Sequence, residues 1–163
     1  MSGMEVSIVK SVQEANIRQQ ERFAKRIADF FAGREEETVL AVRGPAFEVK
    51  TDDVRESPAI NCIRRFLDSG MKINAYDPEA TAAARRALEK KIERFRNGYD
   101  ALDDTDALVM FTDRQEFRNP GFEVIASKPR KCVIFGGRNL YDQDVIRRTG
   151  IEYYSVGRPP VLP

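Results

Sequence analysis

The chain contains no histidine. That removes the commonest general base and the commonest zinc ligand together. A Ser-His-Asp or Cys-His mechanism within this chain is therefore excluded. Cysteine is scarce, with only Cys62 and Cys132. Cys62 sits among Ile60, Ile63, Phe66 and Leu67, and Cys132 opens the run Cys132-Val133-Ile134-Phe135. Both read as small buried hydrophobes rather than as a disulfide framework, so a reducing, cytoplasmic setting is expected. No uncharged stretch approaches the ~20 apolar residues that a membrane span needs, and the N-terminus has no signal-peptide core. Neither sign of charge is in excess: 27 basic side chains face 26 acidic ones. Nucleic acid and membrane surfaces are thus not expected partners.

What is present is an α/β pattern in 163 residues, enough for one domain with an appendage. Residues 5–31 lack glycine and proline, and Val9, Val12, Phe23, Ile27 and Phe30 recur at helical spacing. Such a helix would run to ~40 Å, longer than a small domain needs. Its apolar stripe thins around Asn16, Gln19 and Gln20, so part of it should pack outside its own domain. Gly33 ends it. Short apolar runs at 38–44, 72–76, 107–111, 131–135 and 151–156 then read as strands. Helices fall between them. Ser57-Pro58, Asp77-Pro78 and Asn119-Pro120 supply cap-and-proline starts, and Asp142 caps the last. The second of these helices is expected to reach about residue 96. Alternating elements of this size predict a three-layer α/β/α, Rossmann-like domain with a five-stranded parallel sheet, preceded by a long N-terminal helix. The expected division is 1–34 for the helix and 35–163 for the domain.

In such a sheet, ligands bind beyond the carboxyl ends of the strands. Two loops there stand out. Residues 44–57 form a long connection that brings Lys50 and Arg55 to a helix N-terminus, where free N–H groups favour an anion. A solvated loop with internal ion pairs would look the same. No G-x-G-x-x-G follows the first strand. The second loop, Gly136-Gly137-Arg138-Asn139, pairs close backbone approach with a planar guanidinium suited to phosphate; an ordinary glycine turn is the alternative. The basic side chains between Arg85 and Arg96 read as a solvated helix face, and Asp103, Asp104 and Asp106 as structural caps.

The same loops carry a resemblance. Gly44-x-Ala46-Phe47-x-x-x-Thr51-Asp52-Asp53-x-Arg55-Glu56-Ser57-Pro58 is similar to the G-L-A-F-K-x-x-T-D-D-x-R-E-S-P signature of the UDP-glucose/GDP-mannose dehydrogenases. Ala75-Tyr76-Asp77-Pro78, Thr105-Asp106-Ala107-Leu108, Glu116-Phe117-Arg118 and Gly137-Arg138-Asn139-Leu140-Tyr141 follow in the family's order. The ending Tyr153-Tyr154-Ser155-x-Gly157-Arg158-Pro159 resembles the UDP-glucose branch. Asn16-x-x-Gln19 lies on what resembles the family's central dimerisation helix.

The resemblance implies a C-terminal, UDP-sugar-binding domain of an enzyme that oxidises a sugar C6 alcohol with NAD through a catalytic cysteine. Phe47, Glu48, Lys50 and Arg138 would then contact the nucleotide sugar, and Arg55 would approach NAD. Neither cysteine of this chain matches the catalytic context. NAD would be bound mainly by a domain absent from these residues, on the same polypeptide or on a separate chain. The chain alone is expected to be inactive and to dimerise through its helix. Three positions depart from the pattern: Pro45 for Leu, Glu48 for Lys and Gly136 for Asp. At ~4 Å and an effective dielectric of about 20, unit charges interact by about 4 kcal/mol, so Glu48 would repel a phosphate that a lysine attracts. Lys50 is placed to compensate. The competing reading is a non-catalytic dimerisation or regulatory module derived from the family. A free-standing receiver- or flavodoxin-like domain ranks third, because the first strand does not end on an acidic cluster.

Overall fold

The computed structural model describes residues 2–44, 57–77, 86, 88, 92–112 and 114–163. The chain begins with helix α1 (Ser2–Phe30). Its C-terminal half buries Phe23, Ala24 and Ile27, and Phe31 follows them into the core. Gly33 then turns the chain with φ +82, a left-handed conformation that glycine adopts without a Cβ penalty. A short 3-10 turn (Glu35–Glu37) leads into β1 (Val39–Arg43).

Helix α2 (Pro58–Asp68) starts as the sequence predicts. Ser57 accepts from the Ile60 N–H, and Pro58 takes the first turn, where its missing N–H costs nothing. Strand β2 (Lys72–Tyr76) follows. Next comes β3 (Ile92–Arg94), a sixth strand where sequence periodicity places the end of a helix. The reason is positional: β3 pairs only with β2 and lies at the sheet edge. A charged edge strand discourages further pairing, and Glu93 and Arg94 resemble a solvated helix face in sequence.

Strand β4 (Ala107–Met110) is followed by a 3-10 turn (Gln115–Phe117) and helix α3 (Phe122–Ser127). Gly121, not Asn119, occupies the cap position of α3, and no side chain caps that helix. Strand β5 (Val133–Gly136), helix α4 (Gln143–Arg147) and strand β6 (Glu152–Ser155) complete the chain. Asp142 does cap α4, accepting from the N–H groups of Asp144 and Val145.

The six strands form one parallel sheet in the order β3-β2-β1-β4-β5-β6. The order reverses between β1 and β4, which defines the crevice at the carboxyl edge where ligands bind in such sheets. Alternation along the strands builds two cores. Leu40, Val42, Val109 and Phe135 face α1 and α2. Ala41, Leu108, Met110, Ile134 and Tyr153 face the short helices on the other side. On the first face, Phe30 meets Phe31, Phe135 and Tyr154 edge-on at 4.9, 5.3 and 5.6 Å, which fastens α1 to β5 and β6.

Candidate functional site

A cleft of about 200 Å³ opens at the carboxyl edge of the sheet, beside the switch point. Four parts of the chain supply its walls, the smallest being Val156 just after β6. The N-terminus of α2 contributes Ser57, Pro58 and Cys62. The ends of β4 and β5 bring Phe111, Gly137 and Arg138. The middle of α1 adds Asn16, Gln19, Gln20 and Phe23.

The α2 terminus matters electrostatically, because the first N–H groups of a helix lack partners within it and carry partial positive charge. Gly137 is held tightly. Its N–H donates to the Met110 carbonyl at 2.8 Å. A Cβ there would lie 3.1 Å from that oxygen and 3.5 Å from the Phe23 ring. This close approach between β5, β4 and α1 suits a residue without a side chain.

Arg138 is exposed at the cleft and is held by its neighbour. Asn139 adopts φ +49, a left-handed conformation that asparagine tolerates better than most residues. Its amide donates to the Val156 carbonyl at 2.8 Å, and its side-chain oxygen accepts from the Val156 N–H at 2.8 Å. That reciprocal pair ties the loop after β5 to the end of β6. Arg138 is therefore carried on a braced turn at the cleft, and its guanidinium is a planar fork of the kind that matches phosphate or carboxylate.

Gly136 has a steric explanation. A Cβ at this position would lie 2.7 Å from the Tyr153 hydroxyl oxygen and 2.9 Å from its ring. The space of an aspartate is occupied by the fully buried Tyr153. Beneath the same edge, β1 ends on a buried arginine. Arg43 donates to the Gly98 carbonyl at 2.8 Å and lies over the rings of Tyr99 and Phe117 at 5.1 and 5.7 Å. Burial pushes its guanidinium pKa down, although the nearby tyrosines oppose this. Its Nε and the Tyr141 hydroxyl have no hydrogen-bond partner among the described residues.

Cys62 lines the cleft floor but is only 2% exposed, and its thiol donates to the Gln20 carbonyl. Burial pushes its pKa up to about 12, so it is a poor nucleophile. Cys132 is likewise shifted upward by burial and bonds the Ala126 carbonyl. The aspartates after Leu102 are engaged structurally: Asp106 accepts from the Val39 N–H and pairs with Arg130, while Asp103 pairs with Lys128. Among the described residues no cluster fit to hold a metal occurs.

Of the site residues expected from sequence, Arg138 is in the cleft. Phe47, Glu48, Lys50 and Arg55 lie outside the described residues, as does Pro45. The α1 wall and Phe111 were missed. Their signal was faint but present: the polar interruption at Asn16, Gln19 and Gln20 in an otherwise apolar stripe is where the helix leaves the core and faces the cleft.

A parallel sheet with this strand order, and a cleft at its switch point, define a Rossmann-like α/β domain. The chain belongs to the UDP-glucose/GDP-mannose dehydrogenase family: the model of that family's UDP binding domain matches residues 41–143. It is similar to the UDP-glucose 6-dehydrogenase of Pseudomonas aeruginosa, with 32% identity over 162 residues, 96% of this chain and 36% of that protein. With the UDP-glucose 6-dehydrogenase of Rhizobium meliloti it shares 31% over 154 residues, 94% of this chain and 35% of the relative. Among solved structures, a UDP-glucose dehydrogenase from Pyrobaculum islandicum superposes with a TM-score of 0.66 at 25% identity, covering 83% of this chain and 30% of that one. The chain spans about a third of the length of the curated relatives it matches.

Proposed function

We propose that this chain supplies the nucleotide-sugar half of the site of a UDP-sugar 6-dehydrogenase, the oxidation itself requiring an NAD-binding domain. The observation that carries this reading is the cleft at the sheet's switch point, where Arg138 and the α2 N-terminus present positive charge in a chain of this family. Within it, Arg138 would engage the nucleotide sugar by charge-assisted hydrogen bonds. Phe47, Glu48 and Lys50 belong to the same proposal as substrate contacts, and Arg55 as the residue approaching NAD. The high pKa of Cys62 argues against its serving as a reactive thiol.

The proposed boundary falls after residue 34, with α1 belonging to a dimerisation region. Val6, Val9 and Val12 are 67%, 57% and 54% exposed on its first half, a face that a second copy would cover. No helix among the described residues is long and apolar enough to cross a membrane. Two free cysteines fit a reducing cytoplasm.

The test is a nuclear magnetic resonance titration with UDP-glucose. Saturable shifts concentrated on the amides of Gly137, Arg138 and Ala59 support the reading. Shifts elsewhere, or none at millimolar ligand, overturn it. One observation favours a second reading, a dimerisation or regulatory module that has lost the ligand: Tyr153 leaves no room at position 136 for the carboxylate that the family pattern carries there. Dimerisation without any nucleotide response would decide for it.

A further inference from the structure

We propose that a groove beside the cleft is a second anion compartment, in which Arg22, assisted by Arg18, holds the diphosphate of the nucleotide sugar from the side opposite Arg138. The proposal rests on the functional reading above and names residues that it does not include.

The groove measures about 590 Å³ and runs along α1 past the end of β6. It shares Gln19, Phe23 and Val156 with the cleft, so the two compartments meet along a common wall. Arg18, Arg22 and Arg26 line it at spacings of four, which stacks them on one stripe of the helix. The three arginines are used differently. Arg26 is committed to the fold: it donates to the Ser155 carbonyl at 3.0 Å and lies over the Tyr154 ring at 6.0 Å. Arg18 reaches Glu14 only at 4.0 Å, with both side chains more than half exposed, so that pair is weak. Arg22 makes no hydrogen bond or ion pair with any described residue. Neighbouring cations on α1 and α2 are neutralised, Lys25 by Asp29 and Arg65 by Glu21. Arg22 thus keeps an unneutralised positive charge at the groove. At the far end Gly157 adopts φ +67, and nothing lies within 4 Å of where its Cβ would be.

A ligand that fits both compartments needs an uncharged planar part and a central double anion. The cleft offers apolar wall from the largely buried Phe23 and Phe111 and amide groups from Asn16 and Gln20, which suit a base. Arg138 lines the cleft and Arg22 lines the groove, and the two compartments share Gln19, Phe23 and Val156. A diphosphate can engage both, whereas a monophosphate reaches only one.

The experiment is calorimetric titration of UDP, UMP and inorganic diphosphate into the full chain and its Arg22→Ala and Arg138→Ala variants. Arg22 is exposed, so its replacement should leave the fold intact, which circular dichroism checks. Loss of one charge-assisted contact should weaken UDP by about tenfold in Arg22→Ala. UMP affinity should change less than twofold there, while Arg138→Ala should weaken both nucleotides. Unchanged UDP binding in Arg22→Ala, or equal loss of UDP and UMP, overturns the second compartment and leaves the nucleotide site standing. If the chain binds no nucleotide, the functional reading fails first. Arg22-dependent binding of inorganic diphosphate would then still establish the groove as an anion site, and its absence would overturn that too.

Discussion

The two halves of α1 share one helix and differ in what surrounds them. From Phe23 onward the helix buries a stripe against the sheet and ends in the Phe30–Phe31–Phe135–Tyr154 cluster. Before Ile17 it presents Val6, Ile8, Val9 and Val12 to solvent, each more than half exposed. Between them lies the polar stretch that lines the cleft. The difference teaches that one helix can anchor a domain, form a wall of its cleft and present apolar side chains to solvent in successive turns. The break in apolar periodicity marks each change of role.

Replacing residues in each half should sharpen this contrast. The largest effect is expected for Phe31→Ala, which empties a buried aromatic position: a loss of about 3–5 kcal/mol in urea unfolding. A loss below about 1 kcal/mol would show that α1 is not an integral part of the core. Next comes Gly136→Ala, on the opposite sheet face, where the new Cβ meets Tyr153. Overpacking of this kind costs about 1–3 kcal/mol, and Tyr153→Phe should recover part of it in a double-mutant cycle.

A smaller effect concerns Cys62, which bridges α2 and the polar stretch of α1 through Gln20. Its pKa is raised by burial to about 12, so the thiol must stay protonated in the folded state. The associated stability is complete below the unfolded pKa near 9 and is lost as pH rises toward 12. It should cost about 1 kcal/mol by pH 10, the part of the decline that Cys62→Ala removes from a denaturation series. Cys132 and the tyrosines that burial raises in the same direction account for the remainder. The smallest stability effect is expected for Val9→Asp, under ~0.5 kcal/mol per protomer because the position is exposed. Sedimentation should nevertheless show a shift from dimer to monomer. An unchanged oligomeric state would break the comparison between the halves.

Much of this architecture was legible because it is written in local chemistry. Apolar runs located β1, β2, β4, β5 and β6, and the Ser57-Pro58 and Asp142 caps marked two helices. β3 was not legible: three residues with one apolar side chain carry no period, and only pairing with β2 makes them a strand. At the site, Arg138 could be picked out from its glycine neighbours. Asn139 could not, since its role is a long-range pairing with Val156. Nor could Gly136 be explained, because the side chain that excludes a substituent comes from β6. Arg43 reads as the polar end of a strand, yet it is buried between two aromatic rings contributed by segments far along the chain.

The central claim is that the cleft at the carboxyl edge receives a nucleotide sugar. Calorimetric titration of UDP-glucose into the chain and its Arg138→Ala variant tests it most directly. The expected result is saturable binding, with affinity reduced by about tenfold or more in the variant. Binding of equal strength in both proteins, or no binding in either at millimolar ligand, would contradict it.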